Sequence, residues 1–169
     1  PWNCHRISRS GRGYSIVCVA LRFSVALLLA GALSAADVVV VGAGVAGLTT
    51  ALEAARGGAR VTVVDIASVW GGHAVVSEGG LNMTGTPLQA KLGAKDSPEL
   101  AYQDFLRWGE DANAEWVKIY VNRSRPDIHD WLAGMGVEFS GLRLLAGNSV
   151  ARFHDNPRRG YGIVEPIYR

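Results

Sequence analysis

Residues 37–65 read D-V-V-V-V-G-A-G-V-A-G-L-T-T-A-L-E-A-A-R-G-G-A-R-V-T-V-V-D, and this stretch decides the fold. Val38 to Val41 is a β-branched run of the kind that fills a buried parallel strand. The turn G-A-G-V-A-G follows, with Gly42, Gly44 and Gly47 as its glycines. Val45 to about Arg56 is predicted as a helix, with Ala46, Thr50, Ala51 and Ala54 giving it a small-residue face. Gly57 and Gly58 close it. A second strand, Arg60 to Val64, delivers Asp65 at its C-terminal end. Each part has a physical task. Gly42 permits a tight turn, Gly44 lets backbone approach a pyrophosphate, and Gly47 lets helix and strand pack closely. The helix N-terminus offers free N–H groups and a positive dipole end to phosphates. Asp65 lies 18 residues past Gly47, close to the roughly 20 expected of an acid that accepts ribose hydroxyls and disfavours a 2′-phosphate, hence NADP. A lone G-x-G-x-x-G carries little weight, but here strand, helix, second strand and acid all stand in place.

Working outward, the chain has 169 residues, one domain's worth. Its 49% apolar content is enough to build a core, and a net charge of +2 does not suggest a nucleic-acid binder. That charge is uneven. Arg6, Arg9, Arg12 and Arg22 all precede the first acid, Asp37. Cys4 and Cys18 also lie before it, so no disulfide, zinc site or thiol nucleophile is expected from residue 37 onward.

Residues 1–36 therefore form a leader. The run F-S-V-A-L-L-L-A-G-A-L at 23–33 is 11 residues long, too short to span a bilayer at about 20. With the arginines before it and Ser34, Ala35 and Ala36 after it, it has the parts of a secretory signal peptide. Export, for instance to a periplasm, is the expectation; a cytoplasmic protein whose leader packs on the core as a strand or helix is the alternative. The first Met is Met83, so the true start is expected to lie elsewhere. A start at Val17 or Val19 would make a compact signal and leave residues 1–16 non-native.

The stretch after Asp65 separates FAD from NAD. An NAD dehydrogenase would continue into short strand–helix units, whereas here W-G-G-H-A-V-V-S-E-G-G at 70–80 opens a glycine-punctuated loop. G-G-H-A-V-V-S-E-G-G-L-N at 71–82 resembles the loop after the second strand in the flavoprotein subunits of succinate dehydrogenase and fumarate reductase. It also resembles the soluble fumarate-reductase-like flavoproteins. The likeness extends through D-S-P-E-L at 96–100, D-W-L-A-G-M-G-V-E-F at 130–139, R-F-H at 152–154 and R-G-Y-G-I-V at 159–164. It implies an α/β, Rossmann-like FAD-binding domain over 37–169, incomplete at its C-terminus: a βαβ start followed by a helical insertion. It implies FAD along Gly42, Gly44, Ala46, Gly47, Asp65, Gly71, Gly72, His73, Gly79 and Gly80, the loop following the pyrophosphate and ribityl chain.

In the membrane-bound relatives the loop reads H-T-V-A-A-E-G-G, and its His carries FAD covalently. His73 matches that position, while Gly71-Gly72 resembles the soluble branch, which holds FAD non-covalently. Non-covalent FAD is the expectation and a covalent link at His73 the alternative. The resemblance further implies hydride transfer between flavin and a C–C bond beside a carboxylate or ketone, a small-molecule substrate such as a carboxylate, and an electron-transfer partner. It places the substrate-capping domain and catalytic groups beyond Arg169, so no catalytic residue is assigned and this chain alone is expected to be inactive. The alternatives are another two-dinucleotide flavoprotein, or a truncated, non-catalytic remnant.

The later segments read as helices. Ser97 is a suitable N-cap with Pro98 and Glu99 behind it. Ala101, Phe105 and Trp108 make one apolar face, and Trp116, Ile119 and Tyr120 repeat the spacing. These aromatics are expected in the core. Pro126 predicts a break or a fresh helix start before Ile128, Trp131, Leu132 and Met135, with Gly134 or Gly136 ending that helix. Arg152, His154, Arg158 and Arg159 admit two readings, an anion clamp or, around N-P-R-R-G, a polar turn.

Overall fold

The computed structural model describes residues 15–18 and 37–169. The expected signal run at 23–33 and its Ser34–Ala36 ending lie outside the described residues. The chain divides into two compact units, Pro1–Ala74 with Ile167–Arg169, and Val75–Pro166.

The first unit is built on a parallel sheet. Strand β2 (Val38–Val41) runs beside β3 (Val61–Asp65) in register from Val38↔Val61 to Val41↔Val64. Helix α1 (Val45–Arg56) connects them, completing the βαβ unit. The period-2 alternation of a strand divides the valines. Val40, Val61 and Val63 are buried together with Leu48 and Ala51 of α1, while Val39 and Val41 remain 59% and 83% exposed. A third strand, β1 (Ser15–Cys18), pairs with the other side of β3, from Ser15↔Thr62 to Cys18↔Asp65. Four residues of the expected leader thus lie in the sheet. Helix α2 (Gly72–Val76) puts one helical turn where the sequence suggested only loop.

The second unit holds helices and a small antiparallel sheet that sequence reasoning missed. Its strands are β4 (Gly80–Asn82), β5 (Gly141–Arg143) and β6 (Phe153–Asp155), in the order β4-β6-β5. Three-residue strands are too short to show alternation. Helix α3 (Pro87–Lys91) starts with a capping box between Thr86 and Gln89. Helix α4 (Pro98–Trp108) is capped by Ser97 as expected, its Oγ accepting from Leu100 N–H at 3.2 Å. Asn113 caps α5 (Ala114–Arg123) in the same way.

Pro126 does not break the chain. It sits in a π-helical stretch, Ser124–Asp130, that joins α5 to α6 (Trp131–Ala133). Proline lacks an N–H and its ring crowds the carbonyl four residues back; the wider π turn accommodates both. Gly134 caps α6 and Gly136 follows at φ +83°. The apolar stripe is narrower than predicted. Phe105 and Tyr120 meet edge to face at 5.8 Å, and Ala101 and Val121 are buried. Trp108 and Trp116, expected in the core, are 64% and 70% exposed, and Ile119 on the same face is 47% exposed. Spacing finds a helix face but not which part of it another element covers. Helix α7 (Arg159–Tyr168) follows β6.

Candidate functional site

The glycine turn of the first unit has the geometry its sequence called for. Gly42 adopts φ +103°, the left-handed region open to glycine, and a Cβ there would meet nothing within 4 Å. Gly44 is the extended N-cap of α1, and a Cβ on it would also enter open space. Gly47 is different. Its Cβ would lie 1.8 Å from the Gly42 carbonyl oxygen, so its smallness serves the close approach of helix and strand. The first intrahelical bond runs from Leu48 N–H to Gly44 O at 2.9 Å. The N–H groups of Val45, Ala46 and Gly47 precede it and have no partner within the helix. Ala46 is exposed.

Asp65 reaches this turn from the end of β3. Its Oδ2 accepts from Ala43 N–H at 2.5 Å and its Oδ1 from Ala67 N–H at 2.7 Å. Gly71 N–H donates to Ala43 O at 2.7 Å, and Gly71 bridges Gly44 in parallel fashion. Gly72, at φ +53°, would bring a Cβ to 3.4 Å from the Gly44 Cα. The structure therefore brings Gly42, Gly44, Asp65, Gly71 and Gly72 together. His73 follows as an exposed residue of α2. Trp70, just before the glycine pair, stacks on Tyr168 at 4.2 Å and 11°.

Gly79 and Gly80 belong to the second unit, and their neighbours are protein atoms. A Cβ on Gly79 would stand 2.1 Å from the Arg159 carbonyl carbon, and one on Gly80 1.8 Å from the Phe153 ring. Gly160 N–H donates to Ser77 O at 3.0 Å, fastening the same crossing. Arg143 bonds Asp155 through two nitrogens and reaches Glu78 at 2.8 Å.

The anion-clamp reading fails on burial for Arg152 and His154. Arg152 is fully buried and donates to Asp96 at 2.8 Å, Asp104 at 2.6 Å and Asn148 at 3.0 Å. Asp104 also accepts from the Ser149 amide and hydroxyl. Burial pushes the Asp104 carboxyl up, but the Ser149 and Arg152 hydrogen bonds outweigh it and leave it at about 2. His154 is also fully buried. Its Nδ1 lies 2.6 Å from the Arg152 carbonyl, which can only accept, so Nε2 accepts from the Thr86 hydroxyl at 2.6 Å. Burial lowers its pKa, in keeping with this neutral form. Arg158 pairs with Glu165 at 3.3 Å and covers the Tyr161 ring. Arg159 opens α7 at φ +56°. Sequence reasoning missed the Asp96–Arg152–Asp104 group. D-S-P at 96–98 announced a helix cap, and no local pattern links it to an arginine far along the chain.

Comparison with known proteins gives consistent results. Residues 37–161 match the family model described as FAD binding domain. The chain is 36% identical over 128 residues to a fumarate reductase (cytochrome) of Shewanella frigidimarina, covering 75% of this chain and 22% of that protein. It is 39% identical over 152 residues to a KsdD-like steroid dehydrogenase of Mycolicibacterium smegmatis, covering 79% of this chain and 28% of the relative. Among solved structures, the open conformation of a flavocytochrome c3 fumarate reductase superposes with a TM-score of 0.72 at 32% identity. That match covers 78% of this chain and 24% of the other. The chain thus spans about a quarter of the length of these relatives.

Proposed function

The chain belongs to the FAD-binding-domain family of flavoproteins, and from that membership we propose that it is the FAD-holding portion of an oxidoreductase of the fumarate reductase and succinate dehydrogenase type. The observation that carries this is the contrast within the glycine turn. Open space faces Gly42 and Gly44, while Gly47 is pressed against Gly42. A pyrophosphate fits there. It would lie over Gly44, take the unpaired N–H groups of Val45, Ala46 and Gly47, and benefit from the positive end of α1. Asp65 would face the adenosine ribose, with Gly71, Gly72 and His73 beside the same turn. Bound FAD would supply hydride acceptance or donation at flavin N5 toward a C–C bond beside a carboxylate or ketone.

In this reading the chain's own residues hold the cofactor. Arg152 and His154 are committed to internal partners, so neither is free to clamp a carboxylate. A carboxylate substrate follows from the fumarate reductase relatives, and the steroid dehydrogenase relative favours a ketone as the second reading. An electron-transfer partner and export directed by the leader complete the proposal.

Full-length protein should purify yellow, with FAD and without NADP. Acid precipitation should release all of the flavin; retained colour would instead place a covalent link at His73. A colourless protein that takes up no added FAD would refute the assignment. Residues 37–169 alone should not turn over fumarate with reduced viologen, nor succinate with an artificial acceptor.

A further inference from the structure

The acid at the end of the second strand has a task that does not involve a ribose. Both Asp65 oxygens already accept backbone N–H groups, from Ala43 at 2.5 Å and Ala67 at 2.7 Å. Ala43 is the buried residue between Gly42 and Gly44. Its carbonyl accepts from Gly71 N–H at 2.7 Å, so both of its peptide groups are held. Gly42 and Gly44 can sample many conformations, because each lacks a Cβ and faces open space. With Ala43 pinned between them, the turn keeps one shape without a ligand. We propose that Asp65 is a positioning residue that locks the glycine turn, so that the N–H groups of the first α1 turn are aimed before a phosphate arrives. This rests on the FAD reading for the ligand's identity. The lock is a property of the chain alone.

Electrostatics makes the proposal distinguishable from a simple ribose contact. A carboxylate close to an anion site repels the anion. Were Asp65 only a ribose acceptor, neutralising it would leave the affinity for inorganic pyrophosphate, which has no ribose, unchanged or higher. As a lock, it should do the opposite. Asp65→Asn keeps the size but sets an NH2 group against one of the two backbone donors.

The test measures FAD and inorganic pyrophosphate binding to the full chain and to Asp65→Asn, with amide hydrogen exchange at Ala43 and Val63 in both proteins without ligand. The lock predicts that both ligands weaken by a similar factor, on the order of tenfold for a charge-assisted hydrogen bond. It also predicts that Ala43 exchange accelerates relative to Val63 in the core of β3. Unchanged or tighter pyrophosphate binding with weakened FAD would overturn it. So would exchange that is unaltered at Ala43 or raised equally at Val63, which would make Asp65 a general support of the sheet. If the wild type bound neither ligand, the FAD assignment would fall while the exchange comparison still decided the lock.

Discussion

Gly44 and Gly79 are both glycines in stretches that resemble the cofactor loops of one flavoprotein family, yet the structure uses them for opposite ends. A methyl group on Gly44 would point into open space; one on Gly79 would sit 2.1 Å from a backbone carbon. The same division separates the two units. In the first, the glycine turn has free N–H groups and room beside them. In the second, glycines, an arginine and a histidine are spent on interior packing. A small residue in a motif therefore carries no fixed meaning. What a Cβ would meet there separates ligand space from packing space, and substitutions in each unit can test that separation.

The largest effect should come from the second unit's buried charges. Arg152→Met would leave Asp96, its side chain 0% exposed, without its cation, and Asp104, 2% exposed, with Arg107 alone at 2.6 Å. Breaking a buried pair from one side costs about 3–5 kcal/mol. Chemical denaturation should show that loss. Near-wild-type stability would mean that water reaches these carboxylates, and the second unit would not be the tightly packed scaffold described.

Gly79→Ala comes next. Its φ of +75° already disfavours a side chain, and the obstructing atoms are backbone, which cannot rotate away. Overpacking of this kind costs about 1–3 kcal/mol, and the left-handed conformation adds about 1 kcal/mol. A variant as stable as wild type would erase the distinction between the two glycines.

Acid should weaken the second unit by a somewhat smaller amount. Asp104 titrates at about 2 in the fold instead of 3.8, because the bonds from Ser149 and Arg152 outweigh the burial that pushes it up. A carboxyl depressed in the native state stabilises it above the unfolded value, and this contribution disappears as pH falls through the folded value. The shift corresponds to about 2 kcal/mol, lost between roughly pH 4 and pH 2. Unfolding free energies across that range should fall for wild type and stay flatter for Asp104→Asn. Equal slopes would place the acid-sensitive group elsewhere.

Legibility in the sequence followed the range of the interactions. The βαβ unit could be read because each part lies next to the part it needs. Val38–Val41 forms the strand, although Val39 and Val41 stay exposed, Gly47 must touch Gly42, and Asp65 ends the next strand. Ser97 was readable as a cap for the same reason, since its partner, Leu100, is three residues away. The Asp96–Arg152–Asp104 group was not, because the acids and the base are about 50 residues apart and joined only by folding. The exposed Trp108 and Trp116 illustrate the same limit: helical spacing defines a stripe, but only tertiary packing decides how much of it is covered. At Pro126, the local rule marked the change of helix type, since α5 ends at Arg123 and a π stretch runs from Ser124 to Asp130.

The smallest change in stability should accompany the largest change in ligand binding, at Gly44→Ala. The backbone there, at φ −73° and ψ 179°, is ordinary extended geometry for any L-residue. The added methyl would meet no protein atom within 4 Å. Replacing glycine at a compatible position reduces the freedom of the unfolded chain and stabilises by about 0.4–1 kcal/mol. The fold should therefore be as stable as wild type or slightly more so. The same methyl would stand where a pyrophosphate must approach the turn, so FAD should fail to copurify and should not rebind on addition. The two measurements belong together. Lost flavin with a destabilised fold would mean that the turn is strained after all and that Gly44 resembles Gly79. Retained flavin with an intact fold would move the pyrophosphate away from the α1 N-terminus, and the open space at Gly44 would lose its meaning as the cofactor's place.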